Sequence, residues 1–149
     1  MNILIILFIL LVIWFLSFLL HEFCHVAEGM RQGAKEGSIY IVKYKILPSL
    51  RASVSTLKNE FLFRLSGGLY SGLILLPLAF IANKYGYTPF DYSLTLASSA
   101  NIIYSVFEAF CGGKLEYNKY MILHYVIYLI VFLCVTYFYL PSIMLFINI

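Results

Sequence analysis

Apolar residues fall in long unbroken stretches along this chain, separated by short polar clusters. The first stretch, Ile3 to Leu20, runs eighteen residues with Ser17 as its single polar side chain. Runs of this length predict helices that cross a bilayer, which takes ~20 apolar residues. Four such spans are expected, at about residues 3–27, 61–83, 92–110 and 118–140, with Pro77 and Pro141 kinking or ending their helices. Between the first two spans the pattern changes. Gly37-Ser38-Ile39-Tyr40-Ile41-Val42-Lys43-Tyr44-Lys45-Ile46-Leu47 is rich in β-branched and aromatic residues, with Lys43 and Lys45 on one alternating face, and reads as a strand. Pro48-Ser49 can start a turn into Leu50 to Leu57, where Leu50, Ala52 and Val54 alternate with Arg51, Ser53 and Ser55. The expected fold is therefore all-α and multi-pass, about four transmembrane helices with a small interfacial β-hairpin between the first and second.

Composition supports the same class. Hydrophobic residues make up 62% of the chain and charged residues 11%, against the 45–50% and 25% or so of soluble domains. A secretory signal is the other reading of the first run, but no Lys or Arg precedes it and no small-residue cleavage site follows it. It is expected to stay as a permanent span. Residues 1–149 then form a single membrane domain, with no internal repeat, low-complexity tract or phosphate-binding loop. Of the ten Lys and Arg, Arg31, Lys35, Lys43, Lys45, Arg51, Lys58 and Arg64 belong to the loop between spans one and two, Lys114 and Lys119 to that between spans three and four, and Lys84 alone to the other side. The positive-inside tendency makes the nine-residue side cytoplasmic and puts both chain ends outside. The net charge of +3 is accounted for by this topology and by anionic lipid head groups, without a nucleic-acid partner. Cys24, Cys111 and Cys134 show no paired spacing and are expected to pack as small apolar residues.

At the end of the first span stands His21-Glu22-Phe23-Cys24-His25. On a helix, His21 and His25 project from one face, one turn apart, so both imidazoles can reach one metal ion. Glu22 lies about 100° round the helix, suited to act as a general base beside the metal. Zinc held by three protein groups keeps an open position and lowers the pKa of its water to around 7. A mutually hydrogen-bonded polar cluster would be the structural alternative. Chance assembly of the pattern from three His and six Glu is about two in a thousand, and ionisable groups within a membrane are functional candidates by default. The third ligand stays open, with Glu108, His124 or no protein group as the possibilities. Glu108 sits in the apolar stretch Tyr104-Ser105-Val106-Phe107-Glu108-Ala109-Phe110, where something must compensate a carboxylate. It can bind the metal, orient a ligating His, or contact substrate. His124 and Asn101 read by default as helix-packing residues, each with a satisfied hydrogen bond.

A zinc motif inside a membrane span resembles the site-2 protease family of intramembrane metalloproteases. Three segments match in order. After the zinc helix the family has a short β-rich segment, then a helix opening on an Ala-Gly-Pro-Leu-Ala-Asn-like stretch. Here Ser66-Gly67-Gly68-Leu69-Tyr70-Ser71 stands in that place. The last family element reads approximately Phe-Asn-Leu-Leu-Pro, then Leu-Asp-Gly-Gly, with the Asp as third zinc ligand. Laid on this chain without gaps, it puts Phe107 on Phe, Glu108 on Asn, Cys111 on Pro and Leu115-Glu116 on Leu-Asp, while Tyr117-Asn118 replaces Gly-Gly. The resemblance thus implies His21, His25 and Glu116 as metal ligands and Glu22 as the catalytic base.

These observations together predict an intramembrane zinc endopeptidase whose active site lies towards the cytoplasmic side of a cell membrane. Its substrate would be a membrane-embedded peptide or a single-pass membrane protein. The hairpin would offer a strand edge to an extended substrate, or merely connect two helices. The rival expectation is a catalytically inactive relative that binds membrane peptides without cutting them. A transporter using His and Glu as a relay is less favoured, because no inverted pair of broken helices is apparent.

Overall fold

The computed structural model describes residues 3–43, 48–112 and 117–147. Its elements follow the order α1 (Ile3–Arg31), β1 (Gly37–Lys43), β2 (Pro48–Val54), α2 (Glu60–Lys84), α3 (Thr88–Cys111) and α4 (Tyr117–Ile147). All four helices contain a stretch long and apolar enough to cross a membrane.

The helix ends are set by local chemistry. α1 runs past residue 27 because Glu28 accepts two hydrogen bonds from Arg31, each 2.7 Å, and one of 2.9 Å from Gln32 Nε2. It stops where Gly33 takes φ +99, with Ala34 N–H bonded to Gly29 O and Gly33 N–H to Met30 O, a Schellman closure that glycine adopts without steric cost. Gly86 ends α2 in the same way at φ +70. Asn59 caps the start of α2 by accepting from Leu62 N–H at 3.0 Å, and Glu60 in the first turn suits the positive end of the helix dipole. Pro77 and Pro141 lie inside their helices and end neither one.

β1 and β2 pair antiparallel in the register Gly37↔Val54 to Lys43↔Pro48. The second strand opens at Pro48 rather than after a turn there, a position where the missing N–H is tolerated. Residues 44–47, expected to finish the first strand, lie outside the described residues. Leu50, Ala52 and Val54 are half-buried and Arg51, Ser53 and Ser55 exposed, the expected alternation. Val54 packs on Gly29 and Val26 on Gly37, which seats the hairpin against the last turns of α1.

Burial is concentrated between α2 and α3. Lipid is as apolar as Leu, so helices in a bilayer associate through close packing and hydrogen bonds. A Cβ on Gly68 would strike the Asn101 carbonyl and the Ser105 side chain, and one on Gly72 would strike Ile102. The absence of these Cβ atoms lets the helices touch, and Ser98 Oγ donates to Gly72 O across the contact at 2.8 Å. Asn101 Nδ2 reaches α1 at Ser17 Oγ, 3.3 Å away. α4 packs through Val131 onto Tyr92, Leu96 and Ala100 of α3, with Trp14 of α1 against the same cluster.

Candidate metal centre

The α-helical repeat places His21 and His25 on one face of α1, with ring centroids 4.8 Å apart. Both are buried. His25 Nδ1 lies 2.6 Å from Phe63 O. A carbonyl can only accept, so Nδ1 carries the proton and the Nε2 lone pair faces inward. α2 comes close enough for this bond because position 67 is glycine, where a Cβ would strike the His25 ring.

Glu108 arrives from α3 and completes a triangle. His25 Nε2 is 3.1 Å from His21 Nε2, and Glu108 Oε2 is 3.3 Å from His21 Nε2 and 3.5 Å from His25 Nε2. Three donors bound to one tetrahedral metal at about 2.0–2.1 Å are separated by about 3.4 Å. The triangle therefore has the size of three corners of a zinc site, with the fourth corner left to the cavity. Its electrostatics agree, because electron-rich atoms converge and the Glu108 Oε2 atom is buried without a hydrogen-bond donor among the described residues. A cation at the centre would compensate all three. This buried group of His21, His25 and Glu108 can hold a metal ion.

Glu22 stands beside the triangle but outside it. Its Oε2 accepts from the Ala52 N–H of β2 at 2.5 Å, so the hairpin fixes the carboxylate through that oxygen. Ala52 pairs with Ile39 in the ladder, and an N–H aimed at Glu22 marks this as a non-hydrogen-bonded pair, leaving the sheet ladder intact. His21, Glu22 and Glu108 line one cavity of about 780 Å³, whose walls include Phe15 and Phe18 of α1 and Tyr120, His124 and Tyr128 of α4. Residues Ser49 to Val54 of β2 form its floor, and Arg51, Glu60 and Arg64 also line it.

His21 and His25 thus share a group with Glu108, and Glu22 stands beside it. Glu116 lies outside the described residues. Glu108, the competing carboxylate, occupies the third corner, whereas His124 lines the cavity without joining the ligand group. Cys24 is buried and also outside that group. Its carbonyl faces Ser66 Oγ at 3.5 Å. Asn101 makes the interhelical hydrogen bond expected of it. Sequence reasoning did not identify the Phe63 carbonyl or the Ala52 N–H, because backbone groups leave no residue-type signal. Gly67 was visible only as part of the Ser66-Gly67-Gly68 stretch, without its partner. Comparison with protein-family models, with curated proteins and with solved structures finds no match for the chain.

Proposed function

We propose that the chain is an intramembrane zinc endopeptidase of the site-2 protease type, cleaving a membrane-embedded peptide or a single transmembrane segment. The observation that carries this reading is the convergence of His21, His25 and Glu108 at 3.1–3.5 Å beside the Glu22 carboxylate, with His21, Glu22 and Glu108 lining one cavity. Glu108, with the two His, supplies the ligands. When bound, zinc supplies a Lewis acid that polarises the substrate carbonyl and makes water acidic enough to ionise near neutral pH.

The chain's own residues do the rest. Glu22 accepts the proton of the attacking water as its oxygen adds to the carbonyl carbon, then returns that proton to the amine nitrogen as the C–N bond breaks. The Ala52 N–H bond orients Glu22 for both transfers. The Phe63 carbonyl fixes the tautomer and plane of His25. A substrate must present an extended peptide bond, and β2 runs along the cavity with one edge outside the two-stranded ladder, where main-chain bonds can hold an unwound segment. The bias of Lys and Arg orients the site towards the cytoplasm and both chain ends outwards.

The test is metal content and cleavage in detergent-purified protein. Wild type should hold one zinc per chain and cut apolar peptides. Glu22→Gln should keep the zinc and lose about 10²–10⁴-fold in rate. Glu108→Ala should lose the zinc. Loss in Glu116→Ala alone would transfer the third ligand to the position the family resemblance marks, and wild type that cannot be loaded with zinc would end the enzyme reading. A second reading, a relative that binds peptides without cutting them, draws on the Glu22 carboxylate being already bonded to Ala52. Under it, Glu22→Gln leaves peptide binding and function intact.

A further inference from the structure

The chain has three histidines, and the site described above uses two. His124, on α4, lines the same cavity. Its ring stands edge-on to Tyr104, with centroids 4.5 Å apart at 87°, and leans on Tyr128 at 4.6 Å and 34°. An imidazole retained for packing alone would have its buried nitrogen satisfied. Instead, Nδ1 is buried with no hydrogen-bond partner among the described residues, an arrangement that packing alone does not call for. Three of the polar groups that line the cavity with it are engaged elsewhere. Tyr104 and Tyr120 hydrogen-bond each other through their hydroxyls, and Arg64 pairs with Glu60 at 2.6 Å. His124 is therefore an imidazole held in place by aromatic faces, facing a cavity whose ligand triangle is built from α1 and α3.

Resting on the peptidase reading, we propose that His124 is a further catalytic residue, whose ring N–H donates a hydrogen bond to the scissile carbonyl oxygen as that oxygen gains negative charge. During attack, the water oxygen bonds to the carbonyl carbon, the C=O π pair moves onto the carbonyl oxygen, and Glu22 takes the water proton. In collapse, the C=O bond re-forms, the C–N bond breaks, and Glu22 gives its proton to the amine. His124 keeps its own proton throughout and acts by hydrogen bonding alone. Aromatic packing fixes the ring before substrate arrives, so the bond needs no reorganisation when the charge develops. The site then draws on three helices, with metal ligands on α1 and α3, the base on α1 and the oxygen-binding donor on α4.

The experiment compares wild type, Glu22→Gln, His124→Ala and His124→Gln in detergent. The probes are a fluorogenic library of apolar decapeptides and a phosphonamidate peptide whose tetrahedral oxygens imitate the attacked carbonyl. Far-ultraviolet circular dichroism and zinc content verify folding and metal loading. The expected result for His124→Ala is a kcat lowered by about 10²–10³-fold, with KM and zinc content unchanged. Its affinity for the phosphonamidate should weaken far more than its affinity for the matching amide peptide, and His124→Gln, which retains an N–H donor, should recover part of both losses. Wild-type kcat and phosphonamidate affinity in His124→Ala, with Glu22→Gln inactive, would overturn this role and leave the peptidase reading standing. Zinc-loaded wild type that cuts nothing in the library would overturn both.

Discussion

His25 is constrained from three directions. Its Nδ1–H is spent on the Phe63 carbonyl, its Nε2 faces His21 and Glu108, and its ring plane lies against Gly67. Gly67→Ala should therefore cost metal before it costs fold. The new Cβ would push the ring away from Phe63 O and out of the triangle, and outer-shell disruptions of this kind weaken metal binding by about 10–100-fold. Equilibrium dialysis against zinc measures that loss, and unchanged helical circular dichroism would separate it from unfolding. Part of this site was legible from residues alone. The i, i+4 spacing of His21 and His25 and the position of Glu22 follow from helix geometry. The place of Glu108 was not legible to the same degree, because 83 positions separate it from His25. Its approach depends on how α1 and α3 cross, which Gly68, Asn101 and Ser17 set through contacts that no local pattern reports.

The four helices were visible in the sequence because hydropathy is a local property, and α1, α2 and α3 start and stop within a few residues of expectation. Differences arose where tertiary or capping bonds override local pattern, as at the end of α1. There Gln32 joins two elements. Its Nε2 donates to Glu28 Oε1 at 2.9 Å and to Asn59 O at 3.1 Å, while its Oε1 accepts from Lys58 N–H at 3.1 Å and Asn59 N–H at 2.8 Å. Gln32→Ala leaves these buried groups short of partners and should destabilise the protein by about 2 kcal/mol, read from a denaturant titration in mixed micelles. The hairpin admits a sharper substitution. Ala52→Pro deletes the N–H that Glu22 accepts while removing no ladder bond, since that N–H points away from β1. Zinc content should be unchanged and peptide turnover reduced roughly tenfold, in line with the loss of an orienting partner. Ala52→Val, which keeps the N–H, should behave as wild type in both measurements.

Across the whole molecule, burial is unequal. α2 and α3 bury nearly half of their apolar stretches against neighbours, whereas α1 and α4 leave most of theirs exposed. Exposed side chains such as Leu4, Phe8, Leu11 and Phe138 suit a hydrocarbon surround. The cavity lies where the lightly buried helices face one another, bounded by Phe18 of α1 and Tyr128 of α4, whose rings are 6.3 Å apart. The metal triangle takes two corners from α1 and one from α3. An ion seated there would tie a lightly packed helix to a well-packed one, so occupancy and folding become linked quantities. By mass action, zinc at a hundred times its dissociation constant would add about 2.7 kcal/mol to stability, visible as a rise in melting temperature that Glu108→Ala abolishes. The ion's presence could then be followed by heat alone, with no substrate in the assay.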